Sequence, residues 1–286
     1  MKIYATYNIK GGVGKTTAAV NLAYLSAADG QRTLLWDLDP QGAASFLFRI
    51  KPRVKGGGKA LIRGTKTLDD AIKGTDFDNL DLIPSDFTYR HMDLLLDSAN
   101  GRQARKPAGP ATRKPAGPAT RKLAQLLKPF AAEYDAVFLD CPPGISLVSE
   151  NVMHAADVLL VPVIPATLSV RTLNQLTEFV AGFNGDRPDV RAFFSMVDRR
   201  KKLHQDTVKD LLADHSVVGI SGTTMTSAAC STFSETSETD GGQSRKTTSY
   251  SAASGASSLD SLRAGLPPGT LSSFASPTSS SRSMFR

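Results

Sequence analysis

Tyr7-Asn8-Ile9-Lys10-Gly11-Gly12-Val13-Gly14-Lys15-Thr16-Thr17 is the stretch that decides the fold. The run before it alternates apolar residues (Ile3, Ala5, Tyr7) and predicts a strand. The run after it (Ala18, Ala19, Leu22, Ala23, Leu25) predicts a helix. A glycine-rich turn between strand and helix is the setting in which backbone N–H groups and a helix N-terminus cradle phosphate oxygens. Gly11, Gly12 and Gly14 leave the backbone free to turn those N–H groups inward. Lys15 brings a positive charge to the β- and γ-phosphates, and the Thr16 hydroxyl is a natural Mg²⁺ ligand. Counted from Gly11, the loop is shorter than the standard G-x-x-x-x-G-K-[ST] spacing, and Lys10 adds a second lysine at its start.

Further along, buried strands end in acids. Arg32-Thr-Leu-Leu-Trp-Asp37-Leu-Asp39-Pro-Gln-Gly42 reads as a strand closing on two carboxylates, and Tyr134 to Asp140 as a second, followed by Cys-Pro-Pro-Gly144. Asp157 to Pro165 and Val190 to Val197 give two more strands. Helical patterns lie between and after them at Leu123–Phe130, Asn151–Ala156, Ser169–Phe183 and Thr207–Leu212. The alternation predicts an α/β fold with a mostly parallel sheet flanked by helices. In such sheets ligands sit beyond the carboxyl ends of the strands, which is where Asp37, Asp39 and Asp140 fall.

Lys10-Gly-Gly-Val-Gly-Lys-Thr-Thr17 resembles the deviant Walker A motif of the ParA/MinD family of ATPases, a branch of the P-loop NTPases. The Asp37-x-Asp39-Pro-Gln-Gly and Asp140-Cys-Pro-Pro-Gly runs are similar to that family's two switch segments. The resemblance spans residues 1–215 and implies ATP and Mg²⁺ as cofactors. It implies contacts to nucleotide from Lys10, Gly11, Gly12, Val13, Gly14, Lys15, Thr16 and Thr17, and it implies catalytic roles for Lys10, Lys15 and Asp39. Lys10 would reach the phosphates held by a partner in an ATP-dependent homodimer, and Asp39 would orient the attacking water. Thr16, Asp37 and Asp140 would hold the Mg²⁺ shell, with Met196 and Asp198 as candidates for closing over the adenine. For a ParA-type partition protein the resemblance further implies nonspecific DNA binding and slow hydrolysis stimulated by a ParB-like partner.

Composition agrees with that outline. The chain of 286 residues is long enough for one large α/β domain. Its two cysteines, Cys141 and Cys230, are too far apart for a Cys-x-x-Cys site or a disulfide framework, which sets aside an iron–sulfur carrier. No signal peptide or membrane-spanning run is readable, so the expected location is the cytoplasm, on the nucleoid if DNA is the partner. A membrane-cycling relative would need a terminal amphipathic helix, and Ser272–Arg286 lacks its apolar face. No helix-turn-helix precedes the loop, so operator-specific binding is not expected. The net charge of +7 fits a nucleic-acid partner and equally a soluble basic surface. The alternatives to partition of DNA are an ATPase positioning a protein cargo and an inactive, degenerate nucleotide binder.

Three stretches stand apart. Residues 51–66, basic and glycine-rich, read as a loop, ahead of a short helix at Leu68–Ile72 and a strand at Leu80–Ser85. Arg105-Lys-Pro-Ala-Gly-Pro-Ala-Thr112 repeats as residues 113–120 and makes 105–122 a basic insertion that its prolines and glycines keep unpacked. From Ser216 to Arg286 serine dominates and apolar periodicity vanishes, so no further strand is drawn, a disordered tail is expected, and a shifted reading frame after His215 would explain the abrupt change.

Overall fold

β1 (Lys2–Thr6) lies between β5 (Ala136–Asp140) and β6 (Val158–Val163) in the computed structural model, parallel to both. The structure describes residues 1–98, 118–183, 187–198, 200–213, 220–225, 236–238 and 245–247. β2 (Thr33–Asp37) and β4 (Leu80–Ile83) extend the sheet beyond β5, and the two-residue β3 (Lys73–Gly74) ends it as the antiparallel member. On the other side β7 (Asp189–Ser195) and β8 (Ile220–Met225) follow β6 in parallel. The order is β3-β4-β2-β5-β1-β6-β7-β8, so the fold is the α/β, mostly parallel arrangement that the alternating patterns predict.

Both faces of the sheet are buried, which is why its strands read as unbroken apolar runs. Successive residues serve opposite sides. Ile3, Ala5, Leu34, Trp36, Val137 and Leu139 belong to one core, and Tyr4, Leu35 and Phe138 to the other, with Tyr4 and Phe138 stacked at 5.0 Å. The second core is covered by α1 (Lys15–Ala28), whose Ala18, Ala19, Leu22 and Ala23 let the helix lie close to the sheet. The first is covered by α3 (Gly57–Arg63), α4 (Met92–Ser98), α5 (Lys122–Leu127), α6 (Leu147–Ala155) and α7 (Thr167–Ala181). The short α2 (Ala43–Leu47) follows β2, and α8 (Lys202–Ala213) precedes β8. No helix among the described residues is long and apolar enough to cross a membrane.

Two expectations need correction. Residues 57–63 are helical, not loop: α3 buries Ala60, Leu61 and Ile62 behind its glycines. It is held from outside its own sequence, since Gly58 N–H donates to Thr88 Oγ1 and Val54 N–H to the buried Asp86 Oδ2. The expectation that no strand follows Ser216, leaving the sheet edge bare, fails at residues 220–225. That run is polar but rich in β-favouring Ile and Thr, and an edge strand satisfies its neighbour through the backbone rather than through an apolar face. A second pairing joins β9 (Thr236–Glu238) to β10 (Arg245–Thr247). Residues 105–117 of the duplicated insertion and the rest of the serine-rich stretch lie outside the described residues.

Candidate functional site

The loop after β1 opens at the carboxyl edge of the sheet, at its most central strand. Asn8 fixes its entry: the side-chain Nδ2 donates to the Pro162 carbonyl near the end of β6, and Oδ1 accepts the Lys10 N–H at 2.9 Å. Tyr7 ties it to the loop after β5 through a 2.8 Å bond from its hydroxyl to the Gly144 carbonyl. Gly14 ends the loop at φ +95°, a left-handed conformation, and hands the chain to α1 at Lys15. A Cβ at Gly14 would meet Ser195 Oγ at 2.9 Å, so a side chain there would both strain the backbone and crowd β7.

Lys15 is only 6% exposed. Its ammonium donates to the Lys10 carbonyl at 3.1 Å, crossing the mouth of the loop. Burial holds its pKa below the ordinary lysine value, partly offset by Asp140, Cys141 and Asp39. Lys10 differs. Its backbone is used twice, by Asn8 and by Lys15, while its half-buried side chain has no polar partner among the described residues.

Opposite the lysines stand the strand-end acids. Asp37 and Asp140 are register partners across β2 and β5, and both are fully buried. Asp37 Oδ2 accepts the Ser45 N–H at 2.8 Å and the Ser45 hydroxyl at 2.7 Å, leaving Oδ1 unsatisfied. Neither oxygen of Asp140 accepts a well-formed hydrogen bond from a described residue. Burial pushes Asp37 up to about 6 against the Ser45 bonds, and burial with the neighbouring Asp37 pushes Asp140 up to about 8, with Thr16 and Lys15 opposing. Buried acceptor oxygens without donors are costly, and a cation would satisfy them. Among the described residues no cluster of three His, Cys, Asp or Glu could hold a metal alone. The donor set of one hydroxyl and two carboxylates therefore fits a hard divalent cation that arrives with phosphate oxygens of its own.

A cleft of about 300 Å³ joins these elements, lined by Gly11, Gly12, Gly14, Lys15, Thr16, Thr17, Asp39, Pro143 and Met196. Asp39 reaches it half-exposed, with Oδ1 accepting the Gln41 N–H and the backbone carbonyl accepting the Ser85 hydroxyl. Met196 holds a left-handed backbone at φ 55°, a strain of about 1–2 kcal/mol that places its side chain near the loop. Val13 is buried beneath the loop. Lys10, Val13, Asp37, Asp140 and Asp198 do not line the cleft; of these Asp198 is engaged elsewhere, its carboxylate pairing with Arg200 and its N–H donating to His204 Nδ1. Asn8, Tyr7, Ser45, Ser85 and Pro143 were not expected at the site. Tyr7, Asn8, Ser45 and Ser85 hold loops together through hydrogen bonds, which local motif reading does not reveal, and Pro143 lines the cleft.

The sequence profile of a family described as "AAA domain" matches residues 1–190. The chain is 30% identical over 215 residues to the "Chromosome partitioning protein ParA" of Myxococcus xanthus, covering 73% of this chain and 70% of that one. It is 31% identical over 215 residues to the "Sporulation initiation inhibitor protein Soj" of Bacillus subtilis, covering 73% and 78%. The chain belongs to the ParA/MinD family of ATPases. Its fold is also similar to that of cobyrinic acid a,c-diamide synthase from Mycobacterium smegmatis, solved with an ATP analog and magnesium. That likeness has a TM-score of 0.67 at 22% identity and covers 80% of this chain and 86% of that one.

Burial of the acid pair has a measurable consequence. Both carboxyls have folded-state values above that of an unfolded aspartate. The folded chain therefore keeps protons that the unfolded chain releases above about pH 4. The pair's contribution to stability is whole below that pH and is lost as pH rises through about 6 and then about 8. In nucleotide-free protein without divalent cation, the melting midpoint is expected to fall between about pH 5 and about pH 8.5, and to fall less in Asp140→Asn. Parallel pH dependences in the two proteins would contradict the assignment.

Proposed function

We propose that this chain is a ParA-type partition ATPase that binds and hydrolyses ATP with Mg²⁺. The observation that carries the reading is the pair of buried, under-satisfied carboxylates, Asp37 and Asp140, at neighbouring strand ends, with Asp140 close enough to the buried Lys15 of the glycine loop to feel its charge. When bound, Mg-ATP supplies a divalent charge and a transferable γ-phosphoryl group. Gly11 to Thr17 present backbone N–H groups to phosphate, and Lys15 stabilises the negative charge that develops on it. Thr16, Asp37 and Asp140 hold the metal's coordination shell, and Asp39 orients water from the open side of the cleft. Met196 lines the same cleft and would be available to close over the base.

Lys10 acts outside its own cleft. Its side chain is absent from the cleft lining and without a polar partner among the described residues, which suits a group that contacts the phosphates of a second copy. The proposed active form is thus an ATP-dependent homodimer. The dimer binds DNA nonspecifically, consistent with the +7 charge, and a ParB-like protein stimulates hydrolysis and release. The site of action would be the cytoplasm, on the nucleoid. The partitioning role named for the Myxococcus relative supports this reading.

The test is steady-state phosphate release with Mg²⁺, with and without duplex DNA. Slow turnover is expected in the wild type. Asp39→Ala should lower it at least about tenfold while ATP affinity changes less than about threefold, because a water-orienting group is removed and no phosphate contact is lost. Absence of turnover in every condition, or unchanged turnover in Asp39→Ala, would contradict the assignment.

A further inference from the structure

The positive charge of this chain is concentrated in two stretches: residues 102–122, with seven Lys or Arg and no acid, and Arg49 to Lys73, with eight Lys or Arg against two Asp, of which the second lies wholly within the described residues. Arg49 pairs with Asp76; the other seven form no ion pair among the described residues. Lys51, Arg53, Lys55, Lys59, Arg63 and Lys73 are all exposed.

These cations stand on a fixed scaffold. α3 buries Leu61 and Ile62 in the core and carries Lys59 and Arg63 one turn apart on its outer face. Asp86, 7% exposed, binds the Val54 N–H with Oδ2 and the Thr88 N–H and hydroxyl with Oδ1, while Thr88 Oγ1 accepts the Gly58 N–H. Beside the helix lies a cleft of about 560 Å³, its rim set by Arg53, Lys55 and Lys73 and its floor by Gly56 and Gly57. The acids there are Asp86, consumed as described, and Asp70, which accepts from the Thr67 N–H and lies near Lys55 and Lys66. Gly42 and Ser85, which flank the Asp39 loop, also pack against this scaffold: a Cβ at Gly42 would touch Pro52 at 3.0 Å, and Ser85 precedes Asp86. The ridge therefore adjoins the nucleotide cleft.

Cations carried on a fixed scaffold in clear excess over the neighbouring acids favour a polyanion. We propose that the ridge from Lys51 to Lys73 is the surface on which this chain docks the phosphate backbone of duplex DNA. The proposal rests on the reading of the chain as a DNA-binding ATPase and adds where the contact is made. An anionic membrane is less well matched, because surface binding to lipid also needs inserted apolar side chains. None of the large apolar residues left exposed falls between Arg49 and Lys73.

The test compares the full-length wild type with two variants of equal charge loss. One is Lys55→Gln, Lys59→Gln, Arg63→Gln on the ridge; the other is Lys201→Gln, Lys202→Gln, Lys209→Gln on or beside α8. Binding to a fluorescent duplex is titrated against salt with a non-hydrolysable ATP analogue, and ATP binding by each variant serves as the folding control. The ridge variant is expected to bind DNA at least about tenfold more weakly, with a salt slope shallower by roughly 2–3, and the α8 variant to match the wild type. Unchanged affinity and slope in the ridge variant overturn the ridge and leave DNA binding standing. Equal losses in both variants point to bulk charge and also overturn it. A wild type that binds no DNA removes the DNA-binding reading and the ridge together.

Discussion

Lys15→Ala will abolish nucleotide binding. Lys15 is the cation that the fold buries at the mouth of the loop, directed to the Lys10 carbonyl and beside Asp140. In an environment this poorly solvated, a charge-assisted contact to phosphate is worth more than at a surface. Its loss also leaves the acid pair without its nearest positive neighbour, so the empty cleft becomes more repulsive to an anion. The expected fall in ATP affinity is at least about a hundredfold, close to 3 kcal/mol. Calorimetric titration measures it, with circular dichroism confirming that the variant is folded. Retained affinity in a folded Lys15→Ala would remove the loop from the nucleotide site.

Lys10→Ala will separate binding from assembly. The Lys10 backbone positions Lys15 and is positioned by Asn8, and alanine preserves both bonds because they use main-chain atoms on the Lys10 side. Only the side chain is lost, and in the single chain that side chain has no polar partner among the described residues. ATP affinity should stay within about threefold of wild type, whereas dimerisation with a non-hydrolysable analogue should disappear, an effect of at least about two orders of magnitude in the dimer constant. Light scattering across a concentration series gives the second quantity. A dimer of unchanged strength in Lys10→Ala would show that the lysine does not act across the interface.

The contrast between these lysines shows what a local pattern conveys. Strand, glycine turn and helix are set by neighbours in sequence, so residues 3–25 are legible directly. Asp37 and Asp140 are legible one at a time as strand-end acids. Their pairing is not, because β2 meets β5 only after β3 and β4 have been placed beyond it, a matter of sheet order rather than of local pattern. The Ser45 clamp on Asp37 spans eight residues around α2 and has no signature of its own. α3 reads as loop because three glycines open it, yet its fold depends on Asp86 and Thr88, some 30 residues later. Asp198 follows a strand that does reach the cleft, but Arg200, two residues on, draws its carboxylate away while Met196 stays. β8 is hidden because its residues carry no apolar alternation.

The proposed function turns on a nucleotide-controlled change between monomer and dimer, with Lys10, which does not line its own cleft, acting on the second copy. Sedimentation velocity of the wild-type chain with Mg²⁺ and either ADP or a non-hydrolysable ATP analogue addresses it directly. The expected result is a single species of the 30.4 kDa protomer with ADP and one of twice that mass with the analogue. One unchanged species in both solutions, with both nucleotides shown to be bound, would contradict it.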